Sequence, residues 1–147
     1  MNKIYLFFLL FLSVATLQAQ SMQITTALYH PRIATIYDFV ISINEDVPSK
    51  SQILLIFPSQ FDLSNVSVAD SRTLDGGLEV SVKSDTVEIK RSGRGKNINA
   101  NTPIDLKIGL IVNPADMQEE YLIDCVLRQE DRVLQEESMR TSIEMRK

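Results

Sequence analysis

Residues 104–114 read Ile104-Asp105-Leu106-Lys107-Ile108-Gly109-Leu110-Ile111-Val112-Asn113-Pro114. Ile104, Leu106, Ile108, Leu110 and Val112 alternate with Asp105, Lys107 and Gly109. In an extended chain, side chains two apart share a face, so this period predicts a strand over 103–112 with one face on a core. It is the longest unbroken apolar alternation after the first 20 residues, which predicts a central strand. Leu106 and Ile108 are expected to point inward, and Asp105 and Lys107 to solvent. Asn113-Pro114 reads as the stop.

The same period recurs on both sides. Tyr37, Phe39, Ile41 and Ile43 alternate with Asp38 and Ser42; Leu78, Val80 and Val82 with Glu79, Ser81 and Lys83; Tyr121, Ile123, Cys125 and Leu127 with Asp124 and Arg128. His30-Pro31, residues 44–48, Asp75-Gly76-Gly77, Lys83-Ser84-Asp85-Thr86 and Asn113-Pro114 punctuate these runs as turns. Strands are predicted at 22–29, 33–43, 51–57, 66–70, 78–83, 86–91, 103–112, 119–129 and 132–144, with hairpins at 78–91 and 119–144. The last segment is rich in Glu, Arg and Gln, and a short helix is its alternative. Residues 91–102, with Gly93 and Gly95, read as one long mobile loop. Half-buried strands with few long connections pack as two layers, an all-β sandwich of about 7–9 antiparallel strands.

The order of these segments resembles a known module. Tyr37-Asp38-Phe39-Val40-Ile41 leads through Val47-Pro48-Ser49 to Ile53-Leu54-Leu55-Ile56-Phe57-Pro58. Phe61-Asp62-Leu63, Gly76-Gly77-Leu78, Val87-Glu88-Ile89 and Ile108-Gly109-Leu110-Ile111-Val112-Asn113-Pro114 follow. The series is similar to the immunoglobulin-like β-sandwich modules of microbial secreted and surface proteins of the adhesion type, over roughly residues 22–140. The resemblance implies an immunoglobulin-like sandwich and carries over no catalytic residue.

The amino terminus sets the compartment. Met1-Asn2-Lys3 precedes an apolar run, Ile4 to Leu12, and a polar exit ending at Ala19. This is the pattern of a secretory signal peptide at 1–19, with residues 20–147 as a single exported domain. The apolar run is shorter than the ~20 residues of a membrane span, and no later run is longer than a strand. A secreted or periplasmic location is expected, with no stable membrane span once the leader is removed. The Ala19-Gln20 junction is similar to cleavage sites of bacterial exported proteins. The chain carries 15 Lys and Arg against 19 Asp and Glu, a net charge of −4. Losing Lys3 with the leader takes it to −5. That acidity argues against a nucleic-acid partner. With one cysteine, Cys125, no internal disulfide can form; Cys125 reads as a small buried hydrophobe.

Chemistry-bearing patterns are sparse. His30, the one histidine, lacks the context of a nucleophile–base pair, and one His with one Cys shows no zinc spacing. Asp70, Asp75 and the loop asparagines show no calcium-loop pattern. The carboxylates of 119–137 fall on alternating, outward strand positions and not in a cleft. Arg91, Arg94 and Lys96, around Gly93 and Gly95, form the one candidate binding loop, suited to a polyanion or carbohydrate. No cofactor is expected. These features predict a non-enzymatic exported binding or structural module, monomeric, acting through loops or a sheet edge on an envelope or surface protein or a carbohydrate. The alternatives are an accessory subunit of an envelope or secretion assembly that adds a strand to a partner's sheet, or a small hydrolase or ligand carrier.

Overall fold

The computed structural model describes residues 22–145; the expected leader lies outside them. The described chain folds into ten strands: β1 (Met22–Thr26), β2 (Ala34–Ile41), β3 (Gln52–Ile56), β4 (Val68–Asp70), β5 (Leu78–Lys83), β6 (Thr86–Arg91), β7 (Ile104–Val112), β8 (Tyr121–Gln129), β9 (Arg132–Thr141) and β10 (Ile143–Met145). They form two five-stranded sheets, ordered β10-β1-β2-β7-β4 and β5-β6-β3-β8-β9. The fold is an all-β sandwich, as the alternation predicts. The segment 132–144 is strand and not helix, but it divides. β9 ends the second sheet, and after Ser142 the chain crosses to the first, where β10 pairs with β1 in parallel. That one parallel pair departs from the expected antiparallel set.

The inward faces interdigitate around an aromatic cluster. Tyr37 of β2 meets Phe61 and Phe39 meets Phe57, and Phe61 in turn meets Tyr121 edge to face at a centroid separation of 4.8 Å. Phe61, Leu63 and Val66 come from the connection between β3 and β4, which folds back as an apolar plug on one end of the sandwich. Cys125 is buried on the face of Tyr121 and Ile123, as its phase predicts.

β7 departs from its predicted phase at one point. Tyr37 pairs with Ile108, but Thr35 pairs with Ile111, so Gly109 and Leu110 together oppose Ile36. This β-bulge adds one residue and inverts the alternation beyond it. Ile104, Leu106 and Ile108 face inward as expected. After the bulge Ile111 is buried, whereas Leu110 is 46% exposed and Val112 is half-buried. The expectation that Leu110 and Val112 continue the inner face is therefore corrected.

The inversion also turns Asn113 inward, and its side chain is fully used. Its Oδ1 accepts from the Tyr37 hydroxyl. Its Nδ2 donates to the carbonyls of Leu28 (3.1 Å) and His30 (2.8 Å), and its backbone N–H donates to Ile33 O. Asn113 thereby ties the β1–β2 connection to β7. Burial raises the pKa of the Tyr37 hydroxyl, with Tyr29 and Tyr121 nearby adding to the shift, so it serves here as a neutral donor.

The inverted phase has a direct mutational signature. Ile111→Ala is expected to cost about 2–5 kcal/mol through lost burial and the cavity left behind. Leu110→Ala is expected to stay within about 0.5 kcal/mol, as at other exposed positions. Urea denaturation midpoints separate the two; equal losses would restore the unbulged strand.

Candidate functional site

Two surfaces offer side chains to a partner. The first is the outer face of β2-β7-β4. The bulge pushes Leu110 out beside Ile36, and the short edge strand β4 sets Val68 next to them. These three are 46%, 45% and 62% exposed. They line a groove of about 420 Å³ whose polar margin includes Asn65, Ser67, Asp70 and Lys107. Exposed apolar side chains that converge on one groove, inside a polar rim, are the usual composition of a protein-contact surface.

The second surface is the end of the sandwich that carries the candidate binding loop, and here the three cations separate. Arg91 shares the inward phase of Val87 and Ile89, and its side chain is 0% exposed. Its guanidinium donates to the carbonyls of Pro48 (2.7 Å) and Lys96 (2.6 Å) and lies 3.5 Å from an Asp75 oxygen. Burial lowers its pKa and Asp75 opposes that shift; an arginine starts high enough to stay charged. Arg91 is an internal clamp and presents nothing to a ligand. Arg94 and Lys96 remain exposed. Lys96 borders a polar groove of about 320 Å³ with Arg72, Asn97 and Asn99.

The loop is also packed where its composition predicts mobility. Val47 and Ile98 exchange both backbone hydrogen bonds, at 2.8 and 2.9 Å, and Ile98 is buried. Asp75 accepts from the Lys96 N–H at 2.8 Å. Gly76 and Gly95 mark a crossing of two backbones: a Cβ on Gly76 would lie 2.2 Å from the Gly95 nitrogen, and one on Gly95 would lie 2.2 Å from the Asp75 carbonyl oxygen. These glycines serve close approach as well as turning.

Asp105 faces outward as predicted but is not left to solvent. The 71–73 segment folds over it. Its carboxylate accepts from the Thr73 N–H (2.8 Å), the Arg72 N–H and the Arg72 Nε (2.9 Å), and its own N–H donates to Thr73 Oγ1. Burial opposes ionisation, but the hydrogen bonds from Arg72 and Thr73 outweigh it and hold the carboxyl well below the usual carboxylate range.

His30 is exposed and contributes its backbone carbonyl to Asn113. Among the described residues, no three of His, Cys, Asp and Glu lie together as a metal site. No described helix is long and apolar enough to cross a membrane.

Two outcomes test this geometry. Arg91→Met strips the Pro48 and Lys96 carbonyls of their donor and leaves Asp75 without its cation. It is expected to cost roughly 2–4 kcal/mol and to speed trypsin cleavage at Arg94 and Lys96. Arg94→Ala is expected to be near neutral; a neutral Arg91→Met would remove the clamp. Asp105 has a lowered folded pKa, so its contribution is present above its unfolded value of about 3.9 and fades as pH falls below that. Wild type is therefore expected to lose midpoint more steeply than Asp105→Asn between about pH 5 and pH 2, and parallel curves would remove Asp105 as the cause.

No family model matches the chain, and no curated protein matches it. Solved structures do. The N-terminal domain of the Streptococcus gordonii adhesin Sgo0707 superimposes with a TM-score of 0.53 at 13% identity, over 86% of this chain and 33% of that one. The major pilin subunit BcpA of Bacillus cereus gives 0.51 at 11% identity, over 84% and 39%. The chain thus spans about a third of the adhesin domain's length and about two fifths of the pilin subunit's. At these identities the likeness is one of fold: the chain has the immunoglobulin-like β-sandwich architecture found in microbial surface proteins.

Proposed function

We propose that the protein is an exported, non-enzymatic binding or structural module of the cell envelope that docks a protein partner on the outer face of β2-β7-β4. The observation that carries this reading is the convergence of Ile36, Val68 and Leu110 on one groove, created by the bulge in β7. The same bulge that turns Ile111 and Asn113 inward leaves a leucine on the outer face, where it joins Ile36 and Val68. Bulges commonly re-aim a side chain at a surface used for contact. Membership of a fold shared with an adhesin and a pilin supports a surface role. Export rests on the leader pattern at 1–19, with the mature chain starting near Gln20.

A second reading is favoured by the polar groove beside Lys96. Lys96, Arg72, Asn97 and Asn99 line it and, with the exposed Arg94 two residues before Lys96, suit an acidic carbohydrate recognised through charge-assisted hydrogen bonds.

Site-directed photocrosslinking in the native envelope tests the first reading. A photoreactive side chain at Leu110 is expected to capture a defined protein. The same probe at Leu122, 53% exposed on the other sheet, is expected to capture little. Leu110→Asp is expected to abolish capture by a probe at Val68. Equal yields at both leucines would sink the docking face. Glycan retention lost in Arg94→Ala with Lys96→Ala would support the second reading instead.

A further inference from the structure

β5 ends the second sheet with a free edge. Its pairing with β6 runs without a shift from Leu78↔Arg91 to Lys83↔Thr86. The turn Ser84-Asp85 closes on Lys83↔Thr86, and the Ser92 N–H donates to Gly77 O at 3.1 Å. The odd-numbered residues therefore bond to β6. Leu78, Val80 and Val82 aim their backbone N–H and C=O groups at the open side. The other edges carry features that discourage further pairing. β4 and β10 have three residues each. β9 shifts register near Leu127 and Arg128, which leaves Leu134 unpaired. β5 carries no bulge in its pairing with β6, is free of proline, and is six residues long.

The residues along that edge are self-complementary. Residues 79–83 read Glu79-Val80-Ser81-Val82-Lys83. Laid antiparallel on itself and centred on Ser81, this segment sets Glu79 opposite Lys83 and Val80 opposite Val82. Centred on Val80 instead, it sets Glu79 opposite Ser81 and pairs no charges. Among the described residues Glu79 has no ion pair, and the Lys83 side chain is 76% exposed while contacting Glu88 at 3.2 Å. The centred register also satisfies the backbone: Val80 and Val82, whose polar groups point outward, become the hydrogen-bonded pairs. Ser81 then meets Ser81 in a close, non-hydrogen-bonded pair.

We propose that β5 is a self-association edge, pairing antiparallel with β5 of a second copy of this chain about a two-fold axis at Ser81. The two second sheets then form one continuous sheet of ten strands. Opposite charges and β-branched side chains face each other across the junction, the arrangement that stabilises cross-strand pairs. One strand per copy is a small interface, so the dimer is expected to be concentration-dependent. It departs from the monomer that composition suggests. Residues 78–83 are not among those lining the groove at Leu110, so crosslinks at Ser81 and at Leu110 read the two assignments independently.

Thiol crosslinking of the purified protein reads the register. Cys125 is buried, so wild type is the blank. Ser81→Cys is expected to form a disulfide-linked dimer under mild oxidation, because a non-hydrogen-bonded pair holds its Cα atoms about 4.5 Å apart, within disulfide range. Glu79→Cys alone is expected to stay monomeric, its two sulfurs lying about four residues, or roughly 13 Å, apart along the strands. Mixing Glu79→Cys with Lys83→Cys is expected to restore the crosslink as a heterodimer. Val80→Pro removes an N–H that β6 does not use. Added to Ser81→Cys, it is expected to abolish crosslinking while the chain still unfolds cooperatively, at a midpoint lowered by the loss of Val80 packing on the core. Crosslinking of Ser81→Cys no faster than of Glu79→Cys, persistence of the crosslink with Val80→Pro, or capture of a different protein's strand at this edge would each overturn the proposal.

Discussion

The extra residue in β7 is the constraint on which the rest of the molecule depends. It moves the inward phase from even to odd numbers, and so brings Ile111 and Asn113 under the opposing sheet. Only from there can Asn113 reach the Tyr37 hydroxyl and the carbonyls of Leu28 and His30. Those carbonyls lie at an end of the sandwich outside the strand ladders, where Asn113 supplies donors and the Ile33 N–H adds a second one to His30. The same inversion sends Leu110 to the surface. Interior order and outer contact surface are two results of one local irregularity.

The two ends of the sandwich are closed by different chemistry. At one end a neutral amide collects carbonyls from the β1–β2 connection. At the other a guanidinium collects carbonyls from residues 48 and 96 and meets Asp75. The amide needs no counter-ion and is insensitive to pH. The guanidinium carries its charge into a buried site, and its free energy depends on keeping the carbonyls and the carboxylate together. Damage to the 74–77 or 92–98 segment therefore falls on a charged group that has nowhere else to go. Damage near Asn113 leaves only neutral groups unpaired.

Much of the strand order is readable from period-two alternation, because in this chain the inner faces are apolar and the outer ones mostly polar. The alternation is silent where both phases are apolar. Ile108-Gly109-Leu110-Ile111-Val112 is such a stretch, and a lone glycine inside a strand pattern was the one signal of a bulge. Arg91 was readable in principle: it continues the phase of Val87 and Ile89, but a charged residue beside glycines looks like loop. Gly76 and Gly95 show why glycine misleads here, since their role is fixed by a contact between segments 19 residues apart. The groove at Leu110 was not readable, because it needs β4 beside β7, a pairing that no local pattern encodes. The split of the last segment into β9 and β10 was equally hidden, since both pieces alternate and only packing decides which sheet each joins.

The parallel pairing of β1 with β10 has a mechanical meaning. Ile24, Thr25 and Thr26 are aligned with Ile143, Glu144 and Met145, so the first and last described strands run side by side in the same direction. Tension applied through the two ends of this segment drags those strands past each other along their length. The hydrogen bonds between them are then loaded together in shear, and do not peel open one at a time as in a hairpin pulled from its mouth. A pulled sandwich gives way at the rate of its slowest barrier and not according to its equilibrium stability. In this molecule the first barrier to extension is that short parallel ladder.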